Sequence, residues 1–494
     1  MANEVGTASN LEDLFGKIVS FLTTNAALVA ANQQWEVLRI ARDNLAAVTT
    51  NLTTTSHLRY HMRSDPRTLN TGADSFYENL SGFSAGVSHV TCQLKEAREV
   101  KKVRLSTPNS STGADGAVKN FRLQYSDDGT SWTTALTVTG VPNWSLSEVR
   151  DYEVPGAPGA HLYWRVLGDS LRSGSTWRLH TLQLLDGSGA PANNFGSEVL
   201  LKGRGHAGTD EIYIGIRSEY SEVYGWYNLF LNGYTGFDPS VSSFWEHPGG
   251  IYGATSPLGS FSVPSVPLWN DVMPFWFAAS GRSFRMGVKV GTSYEAAYLG
   301  FFLPYATPGQ YPYPLLIGGT LCTDIANNAN WRYSYQGGQH SGLQNPGTNT
   351  SSGDATDTTT DSAMYYRDAR GQWVWVGGRS AGGSRFTMSR SSSPPYGVSG
   401  SVGRYVLPSG YRDGSLKGWE FRENLDGSYC LIPLTLVETF PYPAAWGELE
   451  GVFHISGFGN AAENVVTHGG NNLVVLQNCS RTTVSDFWAL ELTP

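Results

Sequence analysis

Charge is scarce in this chain of 494 residues: Asp, Glu, Lys and Arg together make 15%, with 34 basic against 42 acidic side chains and a net charge of −8. Nucleic-acid binders need basic stripes that release counterions from phosphates, and anionic membrane surfaces attract polybasic segments; this balance argues against both partners. Cysteine is nearly absent. Cys92, Cys322, Cys430 and Cys479 lie far apart with no C-x-x-C pair, which excludes a zinc or redox motif and a disulfide framework. No run of about 18 apolar residues is visible, so no membrane insertion is expected. MANEVGTASN has neither a basic n-region nor an apolar h-region, and the expectation is synthesis in a cytoplasm without a signal peptide.

Glycine and aromatics are abundant instead, with 57 Gly and 12% Phe, Trp and Tyr. Glycine supplies tight turns and aromatics fill pleated, half-buried surfaces, so the reading is mainly β with many loops. The length suits two to four domains of about 100–200 residues each.

The first stretch differs from the rest. Ser9 followed by Glu12 reads as a capping box, and Leu11, Leu14, Ile18 and Leu22 fall at helical spacing with Phe15 and Phe21 beside them. This predicts an amphipathic helix over 10–24, with Asn25 to Ala31 as a candidate extension, in a helical or attachment segment 1–55. QQWEVLRIA fits helix or strand. From about 56 the period turns to two. Val103 and Leu105 share a face, as do Phe121, Leu123 and Tyr125, and Leu162, Trp164 and Val166. Asp128-Gly129 reads as a turn. Together these predict a β-sandwich over 56–190.

Beyond the punctuation at 187–196, Ile212, Ile214 and Ile216 alternate strictly. Residues 298–319 are dense in proline, which removes ladder donors, and are expected to be a packed irregular connection. Residues 337–362 are polar and low in complexity and read as a surface loop. Strand patterns resume at 372–378 and 428–440 and three more follow before Leu492. The regions 195–325 and 326–494 are expected to be β-rich, as two domains or as one unit.

No motif carries a convincing active site, and the expectation is that the chain is not an enzyme. Gly203, Gly205 and Gly208 form G-x-G-x-x-G, but a strand pattern follows where a dinucleotide cradle needs a helix. Gly378, Ser380 and Gly382 form G-x-S-x-G without the helix of a nucleophile elbow. His57 and His61 would share a helical face but lack a third ligand. Asp354, Asp357 and Asp361 lack the spacing of a calcium loop. Glu219, Glu222, Asp238 and Glu246 lie among aromatics, as in a sugar cleft, and read better as rim residues. No metal and no cofactor are implied.

Residues 60–188 resemble a discoidin-like domain, the coagulation factor 5/8 type C sandwich, through VKKVRLSTPN, NFRLQYSDDGTSW, GAHLYWRVLGD and WRLHTLQLLDG. The resemblance implies a jelly-roll-like sandwich whose loops at one end bind sugars, lipid headgroups or proteins. Trp132 belongs to its signature and is expected in the core. Cys92 is the only cysteine in this region, so the terminal disulfide of extracellular members is not expected. Trp144, in GVPNWSLSEVR, lies outside the strand patterns; it and Arg150 are the candidate glycan contacts.

The chain as a whole resembles tailed-bacteriophage virion proteins of the tail-tip or baseplate kind. The resembling pieces are MANEVGTASNLEDLFGKIVSFLTTN, GTDEIYIGIRSEY, YLGFFLPYATPGQYPYPLLIGG and LEGVFHISGFGNAAENVV with DFWALEL. This implies a structural subunit located in the virion tail, in contact with other tail or baseplate proteins. It also implies a homo-oligomer, a trimer being favoured, with host adhesion through surface glycans. The rival readings are a stand-alone carbohydrate-binding adhesin and a glycan depolymerase.

Overall fold

The computed structural model describes residues 1–54, 58–62, 78–108, 110–206, 208–221, 226–241, 243–251, 263–291, 293–322, 362–376, 404–407, 429–438, 444–457, 461–477 and 487–492. The fold is mainly β, with several sheets and a short N-terminal helix. Two units form. Unit 1 comprises Met1–Arg39, Val199–Asp238 and Trp245–Pro494, and unit 2 comprises Ile40–Glu198 and Pro239–Phe244.

The first 55 residues hold strands as well as the expected helix. Ala2–Ala8 pairs antiparallel with Met273–Ala279, a contact too distant in sequence for local periodicity to reveal. The helix α1 spans Leu11–Thr24 and buries Leu11, Leu14, Phe15, Ile18 and Leu22. Its cap is shifted by one residue from the predicted box. Asn10 Oδ1 accepts from Asp13 N at 2.9 Å, and the Asp13 carboxylate accepts from Ser9 N at 2.8 Å. Asn caps at least as well as Ser, and Glu12 is engaged elsewhere, accepting from the Ser218 hydroxyl. Asn25 breaks the helix with ψ 128°, and its side chain caps a separate short helix, α2, Ala26–Ala30. QQWEVLRIA resolves as a strand, Glu36–Ala41. Taken as one stretch, Leu11–Ala30 is long and apolar enough by composition to cross a membrane. In the fold, Phe21 of that stretch packs on the sheet, 5.6 Å from the Phe277 ring and 6.3 Å from that of Phe284.

Unit 1 is built on a sheet of twelve strands and a second sheet of seven. The strand Met273–Ala279 shows why its sequence, MPFWFAA, reads as a continuous apolar run. Phe277 faces α1, whereas Trp276 and Ala278 face a cluster that includes Leu434, Leu436, Val452, Leu476, Trp488 and Leu490 of the second sheet. Both faces are covered, so alternation disappears. The expected irregular connection at 298–319 proves to be two strands flanking a turn region. Ser293–Phe301 and Leu315–Cys322 lie side by side in the large sheet; Pro308, Pro312 and Pro314 fall between them, and Pro304 ends a two-residue strand, Leu303–Pro304, that pairs with the second sheet. Pro433 does sit within a strand, Tyr429–Glu438, and the register shifts immediately after it.

Unit 2 holds a five-stranded sheet in the order Leu45–Thr50, His89–Glu99, Ala160–Leu171, Val118–Ser126, Thr133–Val138. A three-stranded sheet, Thr181–Leu185, Lys102–Ser106, Val149–Glu153, and a two-stranded ribbon, Thr176–Leu179 with Glu78–Ser81, complete it. Of the predicted inward positions, Val103, Leu105, Phe121, Leu123, Trp164 and Val166 are each at most 3% exposed, whereas Tyr125 and Leu162 are half-buried. Phe121 of the first sheet meets Tyr152 of the second edge-on, with ring centroids 5.1 Å apart.

Candidate functional site

Connections of unit 2 that are far apart in sequence are bound to one another by main-chain hydrogen bonds. Thr107 N donates to Glu148 O and Ser147 N to Pro108 O, joining the segments around 107 and 147. Arg172 N donates to Ala117 O, Ser173 N to Asp115 O, Arg178 N to Gly116 O and Phe83 N to Ser175 O. Segments 107–108, 110–117, 139–148 and 172–178 and the strand end near 79–83 therefore converge.

Two arginines organise this cluster. Arg172 Nη1 donates to Trp144 O at 2.6 Å, and its Nε lies 3.5 Å from Asp115 Oδ1. Arg178 Nη1 donates to Thr112 O at 2.7 Å and its Nε to Asn79 Oδ1 at 3.3 Å. The helical turn Ser111–Asp115 is capped by Ser110, whose hydroxyl accepts from Gly113 N at 3.3 Å. Gly116 must be glycine because a Cβ there would lie 2.6 Å from both Arg178 Cγ and Thr176 O. Asn79 and Thr112 are exposed, and the Asp115 side chain is 46% exposed. The cluster thus presents guanidinium, carboxamide, carboxylate and hydroxyl groups whose guanidinium planes are fixed by carbonyl oxygens. Such a set suits a ligand with many hydroxyls and little net charge.

The predicted contacts Trp144 and Arg150 do meet, but as packing. Trp144 is 2% exposed, and its indole N–H donates to Val118 O at 2.7 Å. The Arg150 guanidinium lies 4.1 Å over the ring and donates to Glu148, Pro142 O and Asn143 O. Arg150 in turn holds the Glu148 carboxyl below the usual range. The Trp144 ring is therefore engaged in packing, and the Arg150 side chain is 16% exposed. The pair secures loop 139–148, whose Trp144 carbonyl then positions Arg172. Trp132, expected in the core, is half-buried with Arg165 4.0 Å over its ring.

The other sequence candidates do not assemble a site. Gly205 and Gly208 have φ of +70° and +74° in the turn between strands Glu198–Gly203 and Ile212–Ser221, with no helix following. His61 is buried, and its Nδ1 donates to His180 O at 2.5 Å. Among the described residues no group of three or more His, Cys, Asp or Glu could hold a metal ion. Glu219 is buried beside Arg217 at 3.2 Å rather than at a rim, whereas Glu246 is exposed. His57, Glu222, the three aspartates at 354, 357 and 361, the loop 337–361 and Gly378, Ser380 and Gly382 lie outside the described residues.

Cys92 is a free thiol with no exposed surface, 3.4 Å from the Met62 sulfur. Burial pushes it up to about 12, with the Asn193 contact offsetting only part. A thiol is nucleophilic only as thiolate. Iodoacetamide at mildly alkaline pH is therefore expected to leave Cys92 unmodified in the folded chain and to label it fully in urea, as read by peptide mass mapping. Labelling of Cys92 in the native chain at the rate of a free peptide thiol would contradict this.

Residues 51–155 match the F5/8 type C domain model, so this stretch carries a discoidin-like domain. Three solved structures illustrate the likeness. CBM32-1 from a family 31 glycoside hydrolase of Clostridium perfringens is 14% identical, with 28% of this chain and 95% of that chain covered and a TM-score of 0.22. The family 32 CBM of C. perfringens NanJ, in complex with galactose, is 13% identical over 28% of this chain and 90% of its own, with a TM-score of 0.21. CBM62 from Clostridium thermocellum Xyl5A is 16% identical over 30% and 98%, with a TM-score of 0.21. No curated protein matches the chain.

Proposed function

We propose that the chain binds carbohydrate through the converged loops of unit 2, and does so as a non-catalytic structural subunit of a bacteriophage tail tip or baseplate. The observation that carries the binding reading is the F5/8 type C match at 51–155 on a sandwich whose loops gather Asn79, Asp115, Arg172 and Arg178. Hydroxylated rings are bound by such fixed polar groups, and Arg172 beside Asp115 is already balanced in charge, which favours a neutral sugar at this place. The tail reading is supported by the segment resemblances at the N-terminus, the centre and the C-terminal strands. Identical copies in a trimer would turn weak single sites into firm attachment, through the high effective concentration of linked sites.

The binding reading is tested on an array of bacterial-surface oligosaccharides probed with the full-length protein. Arg172→Ala removes the group that spans Trp144 O and Asp115, and is expected to weaken every positive signal by at least ~10-fold, about 1.4 kcal/mol. A wild-type chain that binds nothing on the array, or an Arg172→Ala variant that binds as well, would sink this reading. Antibody labelling of virions tests the tail assignment separately: label at the tail end is expected, and label-free virions with an accessible epitope would return the stand-alone adhesin.

A further inference from the structure

One row of side chains crosses the outer face of the five-stranded sheet, one residue from each strand. The register sets Thr49 opposite Thr91, Thr91 opposite Arg165, Arg165 opposite Gln124, and Gln124 opposite Thr134. The inner face of the same strands carries Cys92, Leu123, Trp164 and Val166, all buried. Thr49 and Thr134 are exposed, so the row is open to solvent at both edges of the sheet.

Arg165 stands at its centre and is fixed from two directions. Its Nε donates to Gln124 Oε1 at 2.8 Å, and Gln124 Nε2 donates to Thr134 Oγ1 at 3.0 Å. Its guanidinium lies 4.0 Å from the centroid of the Trp132 ring. Tyr163, two residues earlier on the same face, is half-buried beside it. The neighbouring Arg122 is neutralised by Asp169 through contacts of 2.8 and 3.1 Å. Arg165 has no carboxylate within ion-pair distance among the described residues. Burial, and then the like charge of Arg122, make its charged form less favourable than usual. A bound anion would offset that penalty by its opposite charge.

We propose that this row is a second binding surface, for a carboxylate-bearing saccharide lying across the strands. Arg165 takes the carboxylate, and the exposed Thr134 and Thr49 take ring hydroxyls, while the buried Gln124 holds the guanidinium in place. Charge complementarity selects the acidic sugar: a planar guanidinium held in place with unengaged Nη groups matches a carboxylate in two-pronged geometry. The face favours a saccharide over an acidic peptide. A peptide gains its affinity by pairing with a strand edge, whereas this face offers hydroxyl, amide and aromatic side chains and no main-chain ladder. None of the loop-cluster residues takes part, so this surface and the proposed loop site can fail separately.

The test is calorimetric titration of the full-length protein with trigalacturonate and with its methyl ester, which keeps the hydroxyls and loses the charge. The acid is expected to bind at least ~10-fold more tightly than the ester, with an affinity that falls as salt is raised. Arg165→Gln should abolish this preference, Gln124→Ala should reduce it by unpinning the guanidinium, and Arg172→Ala should leave it intact. Sialyllactose against lactose, run alongside, tells whether a sialate carboxylate serves as well as a uronate. Equal binding of acid and ester, no binding of either acid, or an unchanged preference in a folded Arg165→Gln variant would overturn the proposal.

Discussion

Replacing Trp164 with alanine is expected to destabilise unit 2 by about 3–5 kcal/mol, the range for removing a large aromatic from a packed core. The side chain has no exposed surface and sits 5.5 Å from the Tyr125 ring and 5.8 Å from that of His161. Its indole N–H is shared between Arg98 O and His161 O, each at 3.2 Å. The substitution therefore opens a cavity and strands two carbonyls. Domains of this size are stable by only about 5–15 kcal/mol, so the loss removes a large share of the total. Trp132→Ala is the matched control: half-buried under Arg165, it should cost about 1 kcal/mol, in keeping with an ordinary substitution. Urea unfolding followed by circular dichroism separates the two. Equal losses at both positions would show that Trp164 does not hold the sandwich together.

Glu450→Ala should have a comparable effect on unit 1. Glu450 is 7% exposed and accepts from the hydroxyls of Ser280, at 3.0 Å, and Ser283, at 2.5 Å, with His206 Nε2 at 3.3 Å. Arg285, with no exposed surface, donates to the Glu450 main-chain oxygen at 2.6 Å. Removing the carboxylate leaves the Ser280 and Ser283 hydroxyls and His206 Nε2 without their shared acceptor, and each buried donor left unsatisfied costs about 1–3 kcal/mol. Burial alone would raise the Glu450 carboxyl, but His206, Arg285 and Ser283 outweigh it and bring it down to about 2. A carboxyl lowered by folding stabilises the fold above its unfolded value, near 4.3. That contribution is lost as pH falls from there through about 2. Thermal melts of the wild-type chain should therefore drop over this window by more than those of Glu450→Gln. Parallel acid profiles would place the acid sensitivity elsewhere.

Much of unit 2 was legible because its strands are amphipathic: a period of two, in Phe121 to Tyr125 and in Leu162 to Val166, reports which face is buried. The helix α1 was legible for the same reason at a period near four. Legibility failed where packing erases alternation, as at Met273–Ala279, which is covered on both faces. It failed again where pairing is remote, as for Ala2–Ala8 with its partner some 270 residues away. The site was harder still. Trp144 looked like a loop aromatic because nothing in GVPNWSLSEVR announces that Val118 O takes its N–H. Arg172 and Arg178 carried no signal, since their partners are main-chain oxygens and side chains up to 99 positions distant. An arginine that reads a carbonyl leaves no residue-type pattern behind. The row through Arg165 was equally hidden, because it appears only once five strands are set in register.

Glycan held by the converged loops of unit 2 should leave its mark on hydrogen exchange of the full-length protein, compared with and without the strongest-binding array glycan. Added protection is expected at 79–83, 107–117, 139–148 and 172–178, and should be lost in Arg172→Ala. Protection confined to unit 1, or none in these four segments at saturating glycan, would contradict this placement.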